Sequence, residues 1–199
     1  MSPSLIPASG KVIARRWLLP VFGVPLALVL ATTAPSEARR GSKPAPEPAT
    51  DSQPNLLGKY GDWEAYSGMT GGRKVCFALG RPSSSQTNPA NRPRDPTYVF
   101  ISTRPADNVR NEVSIIIGYS FKPNTDANVD IGGTKFAMMT QNDGAWLKNA
   151  TDETRMLSAM RDGSELVVKG ASVRGTQTTD KYSLKGLGPA LDRVARECR

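Results

Sequence analysis

From Asp62 to Leu184 the sequence runs as short apolar stretches separated by turn residues, and this alternation constrains the fold more than any other feature. It confines the chain to a mainly β architecture, because residues two apart share one face of a strand and each stretch has a strand's length. The strand candidates are Asp62 to Ser67, Lys74 to Leu79, Tyr98 to Thr103, Val113 to Tyr119, Lys135 to Thr140, Glu165 to Lys169 and Thr179 to Leu184. Val75, Phe77 and Leu79 alternate with Cys76 and Ala78, as in a half-covered strand, whereas Val113-Ser114-Ile115-Ile116-Ile117 reads as a central one. Gly71-Gly72, Gly132-Gly133 and Gly170 mark turns, and Ser83 to Pro96 reads as a polar surface loop. Two helices are expected. The first, around 152–161, takes Thr151 as cap, Asp152 and Glu153 in its first turn, Met156, Leu157 and Met160 on one face and Gly163 as stop. The second is C-terminal, with Pro189 at its first position and Leu191, Val194, Ala195 and Cys198 at helical spacing. The fold class that follows is an antiparallel β-sandwich or barrel-like sheet carrying these two helices.

Residues 1–38 read as a signal peptide. Lys11, Arg15 and Arg16 form a basic start, and Trp17 to Ala31 is an uncharged apolar run shorter than the roughly 20 residues of a spanning helix. Ser36-Glu37-Ala38 places small residues where a signal peptidase reads them, so cleavage is expected near Ala38 and the product is periplasmic or secreted. Membrane contact is then confined to this segment before cleavage. Residues 39–55, with Pro44, Pro46, Pro48 and Pro54, have little to bury and read as a disordered Pro-rich linker. One folded domain covers 56–199.

Export decides how the two cysteines and the charge are read. Cys76 and Cys198 are the only cysteines, so in an oxidising compartment they are expected to pair with each other. The formal net charge is +8, of which Lys11, Arg15, Arg16 and Glu37 contribute +2, leaving +6 beyond residue 38. That excess is scattered, so the expected partner is an envelope protein or an anionic envelope component rather than nucleic acid.

The chain has no histidine, which excludes a Ser-His-Asp triad, a Cys-His pair and a His-ligated metal. It also lacks a Ser-x-x-Lys motif, a Gly-x-Ser-x-Gly elbow, a phosphate-binding loop and a dinucleotide fingerprint. No cofactor is expected, and the leading reading is non-enzymatic. The alternative is a histidine-free hydrolase acting on envelope carbohydrate, which requires two facing carboxylates with at least one strongly perturbed. Arg104, Arg110 and Glu112 fall at the mouth of an expected hairpin, where they either contact a partner or set the turn through an Arg-Glu pair, the pairing being favoured. Trp146 reads first as a ring buried under the sheet and second as a docking residue. These four are the candidate partner-binding residues.

In this order the segments resemble the invasion-associated locus B family of alphaproteobacterial envelope proteins. The resemblance rests on Gly61-Asp62-Trp63, Lys74-Val75-Cys76-Phe77-Ala78, Arg104-Pro105 through Asn111-Glu112-Val113-Ser114, Met156 to Gly163, and Tyr182 to Leu187 leading into Ala190-Leu191. It implies an envelope protein and brings no catalytic residues with it. Family members often have more cysteines than this single pair.

Overall fold

The computed structural model describes residues 53–199. The expected signal peptide and all but the last residues of the expected linker lie outside the described residues. Eleven strands are present: β1 (Asn55–Tyr60), β2 (Trp63–Thr70), β3 (Arg73–Gly80), β4 (Ser84–Asn88), β5 (Tyr98–Arg104), β6 (Val109–Ile116), β7 (Ala127–Ile131), β8 (Thr134–Gln141), β9 (Gly144–Trp146), β10 (Glu165–Ala171) and β11 (Gln177–Ser183). Two helices accompany them, α1 (Ala150–Asp162) and α2 (Leu187–Glu197). All the strands join one antiparallel sheet in the order β1-β2-β3-β5-β6-β9-β8-β7-β10-β11-β4, and the sheet is not closed.

An open sheet this wide must cover its own apolar face, and it does so by folding over. Trp63, at the start of β2, is fully buried and its indole Nε1 donates to the Ser183 carbonyl of β11 at 2.9 Å. The Asp62 backbone N–H donates to the Lys185 carbonyl at 3.0 Å, and the Tyr182 and Thr97 hydroxyls lie 2.9 Å apart. Strands near opposite ends of the sheet therefore meet face to face. Gly186 makes that approach possible, since it has φ +92° and a Cβ there would sit 1.8 Å from the Tyr60 carbonyl oxygen.

The core is built from Ala65, Ala78, Ile101, Val113 and Ile115 on one half and Val129, Phe136, Met138, Leu166 and Val168 on the other. Helix α2 adds Leu187, Ala190, Leu191 and Val194, and α1 adds Met156 and Met160. The Cys76–Cys198 disulfide fastens the end of α2 to β3, with 5.9 Å between the Cα atoms. The mainly β architecture, both helices and the disulfide agree with the sequence reading.

Several details differ. Residues 83–96 are not wholly loop, because Ser84–Asn88 pairs with β11 as an edge strand. Its side chains are polar and mostly exposed, so backbone pairing alone makes it a strand. Strand β6 starts at Val109 and ends at Ile116, ahead of the expected Val113–Tyr119 span. The turn before it is a 3-10 turn at Pro105–Asp107 closed by left-handed Asn108, and Asn111 at φ 57° makes a bulge inside the strand. Asn149, not Thr151, caps α1: its side chain accepts from the Asp152 N–H at 2.9 Å. Helix α2 begins at Leu187, two residues before Pro189, and leaves Ala195 exposed.

The disulfide closes a 122-residue separation, for which the chain-entropy relation gives about 4–5 kcal/mol. Cys198→Ser is expected to lose about that much in urea unfolding without reductant. Reductant should destabilise the parent chain similarly and leave the variant unchanged.

Candidate functional site

The outer face of the first half of the sheet carries the large side chains. Because Ala65, Cys76, Ala78, Val99 and Ile101 point inward, their neighbours Tyr66, Phe77, Tyr98 and Phe100 point outward and are half-exposed. The Tyr66 and Phe77 rings stack at 5.3 Å between centroids, Phe77 meets Phe100 edge-on at 5.6 Å, and Phe100 lies 5.9 Å from Tyr98. Cross-strand register sets Leu79, Phe100, Ser114, Trp146 and Met139 side by side across β3, β5, β6, β9 and β8. Met139 is 45% exposed. Among the described residues this row forms one apolar band on the sheet.

Charged groups frame the band. At the β2 end, the Glu64 carboxylate is held by Lys59 at 2.7 Å and by Arg81 at 2.5 Å, and it accepts from the Tyr66 hydroxyl at 2.7 Å. Lys59 and then Arg81 hold the Glu64 pKa down to about 2. The Arg81 guanidinium also lies 5.8 Å from the Tyr98 ring centre. At the β5–β6 turn, Arg104 binds Glu112 at 2.8 Å and approaches Asp107 at 3.6 Å, and Arg73 binds Asp107 at 2.5 Å.

Of the sequence-predicted residues, Arg104 and Glu112 are thus brought together in the Arg-Glu pair. Trp146 is not buried under the sheet as first expected. Strand β9 pairs it opposite Ser114, so it shares the outer face with Glu112, two residues before Ser114 on β6, and it is half-exposed. Arg110 sits in the bulge, exposed, with no ion-pair partner among the described residues. Sequence reasoning missed the aromatic band, although the alternation of Tyr66, Phe77 and Phe100 with apolar inward residues carried the signal.

A second feature is a cavity of about 590 Å³ where the β4–β5 connection faces the turn between β10 and β11. Beneath it Asp180, fully buried in β11, pairs with Arg94, whose guanidinium also donates to the Ile117 carbonyl at 3.2 Å. The loop bearing Arg94 is clamped by the Asp95 N–H to Gly118 carbonyl bond at 3.0 Å. Gly118, at φ +79°, allows this approach, since a Cβ would lie 2.1 Å from the Asp95 carbonyl oxygen.

No group of three or more acidic or cysteine side chains is placed to hold a metal ion among the described residues. Burial and the charge of Glu112 raise the Glu153 pKa, while Arg104 lowers it. Glu112 is itself committed to Arg104, so the two glutamates do not form a free acid–base pair. No helix among the described residues is long and apolar enough to cross a membrane.

A single folded-over antiparallel sheet, tied to a C-terminal helix by one disulfide and displaying an aromatic face, is the class of domain defined here. A family model for the Invasion associated locus B (IalB) protein matches residues 63–195, and the chain belongs to that family. No curated protein and no solved structure matches the chain. Membership indicates a bacterial envelope-associated protein, and the family is not known as an enzyme family.

Two consequences are measurable. The depressed Glu64 pKa contributes stability that is present above the ordinary carboxylate pKa and is lost as pH falls from about 4.5 to about 2. Glu64→Gln is expected to flatten that limb of the stability–pH curve, read by thermal melts across the range. Asp180→Ala leaves the Arg94 charge without its buried partner and should cost about 3 kcal/mol in chemical denaturation.

Proposed function

We propose that this chain is an exported, non-enzymatic envelope protein that binds or supports a protein partner in the periplasm or at the cell surface. The observation carrying this reading is the aromatic band from Tyr66 through Phe100 to Trp146, an apolar surface of the kind that marks interaction sites. Aromatic rings held by their neighbours on a rigid sheet offer contact area at little cost in conformational entropy. The framing charges on Arg81, Arg104 and Glu112 supply a polar rim, and Arg110 adds an exposed cation beside it. A single disulfide supports folding in an oxidising compartment, in keeping with the export signal read in residues 1–38. The reading calls on no cofactor and no nucleic acid.

The test is site-specific photo-crosslinking in intact cells. A benzophenone side chain at Phe100 or Trp146 is expected to give one defined adduct, and the same group at Lys169 on β10 none. Trp146→Ala should weaken binding to the captured partner by about thirtyfold, the equivalent of about 2 kcal/mol for a central aromatic contact. Crosslinks indistinguishable from the Lys169 control would overturn the proposal.

A further inference from the structure

We propose that the cavity between the β4–β5 connection and the β10–β11 turn binds an anionic sugar, a hydroxyl-rich ring bearing a phosphate or carboxylate group. It is separate from the aromatic band, and either site can fail without the other.

The argument starts from charge. Arg92 and Arg94 reach the cavity from one loop and Arg174 from the opposite turn, and no carboxylate lies among the lining residues. Arg94 is neutralised from below by Asp180 and fixed in place by it. Arg92 and Arg174 are both exposed and have no ion-pair partner among the described residues. Two uncompensated guanidiniums facing one cavity concentrate positive potential there, and an oxyanion relieves it. The planar fork of arginine matches phosphate and carboxylate oxygens in pairs.

The walls narrow the choice further. Pro89 and Pro93 on one side and Val173, 56% exposed, on the other present apolar surface that suits the C–H face of a sugar ring. Thr87, whose hydroxyl accepts from the Arg92 N–H at 3.1 Å, and Ser120 also line the cavity, and hydroxyl-bearing side chains suit ring hydroxyls. Its volume of about 590 Å³ falls within the usual range for small-molecule sites.

The site is also organised in advance. The Val173 N–H donates to the Ser120 carbonyl at 3.0 Å and the Lys122 N–H to the Ala171 carbonyl at 2.8 Å, which pins the β10–β11 turn to the segment after β6. Within the turn, the Gly175 N–H donates to the Ser172 carbonyl at 2.8 Å and the Thr176 N–H to the Ser172 hydroxyl at 3.2 Å. A ligand therefore meets backbone already held in position, which lowers the ordering cost of binding.

The experiment titrates the purified full-length chain by calorimetry with glucose 6-phosphate, glucuronate and neutral glucose, at low and at physiological salt. Saturable binding of at least one anionic sugar is expected, weaker at high salt, with neutral glucose at least tenfold weaker. Arg92→Ala and Arg174→Ala should each weaken it about tenfold or more, while Arg196→Ala, at an exposed position on α2 outside the cavity lining, leaves it unchanged. Preference between the two anions distinguishes a phosphate-bearing from a carboxylate-bearing ligand. Amide chemical shifts mapped on the same titration should move at Ser172 to Thr176, which checks the location independently of the variants. Binding of neither anion, equal binding of glucose, or full affinity in both arginine variants would each overturn the proposal.

Discussion

The indole hydrogen bond from Trp63 to the Ser183 carbonyl is the contact on which the architecture turns. An eleven-stranded open sheet can remain flat only if something else covers its apolar face, and the two short helices here are too few to do so. Folding the sheet so that β2 meets β11 solves the burial problem, but it brings backbone polar groups into contact far from their ladder partners. Trp63 resolves one of them by placing a single donor against a β11 carbonyl while its rings fill the space beside Gly80, where a Cβ would lie 3.0 Å from the ring. The Asp62–Lys185 backbone bond and the left-handed Gly186 complete the joint. Helix α2 follows directly from this joint, and the disulfide then locks its far end to β3.

The same fold explains why the large aromatics end up outside. Beyond Trp63, the inward positions of β2 and β3 are filled by the small side chains Ala65, Cys76 and Ala78. Alternation then fixes Tyr66 and Phe77 on the other face. Their rings stack on one another across the strands and stay half-exposed. What displays the band is thus the strand alternation that sends the core residues inward, and the charged frame around it keeps an apolar surface compatible with water.

The sequence alone made the architecture legible where burial imposes a period. Strands β2, β3, β5, β8, β10 and β11 and both helices follow from apolar spacing, and the disulfide follows from a count of two cysteines in a chain read as exported. Strand β7 was legible in principle, since Ala127, Val129 and Ile131 alternate with polar residues, but it is short. Strand β4 was not, because Ser84–Asn88 has no apolar pattern and takes its form from the edge of β11. Trp146 was misread for a related reason: β9 has three residues, and its facing is set by pairing with Ser114 and Met139 rather than by any local period. The arginine-lined cavity was beyond reach altogether, since Arg92 and Arg174 belong to segments that meet only through the sheet order.

The absence of histidine also acquires a positive meaning in this setting. The buried ionic group of the interior, Asp180, is matched to Arg94, and no buried side-chain polar atom among the described residues lacks a partner. A general acid or base needs a group whose charge changes near the working pH. The charges left without an ion-pair partner at the cavity and beside the aromatic band, on Arg92, Arg174 and Arg110, are guanidiniums, whose charge does not change between acidic and neutral pH. Glu64, with its pKa held down to about 2 by Lys59 and Arg81, likewise keeps its charge well below the usual carboxylate range. The charge these arginines present is therefore set by composition and does not follow the pH of the surroundings.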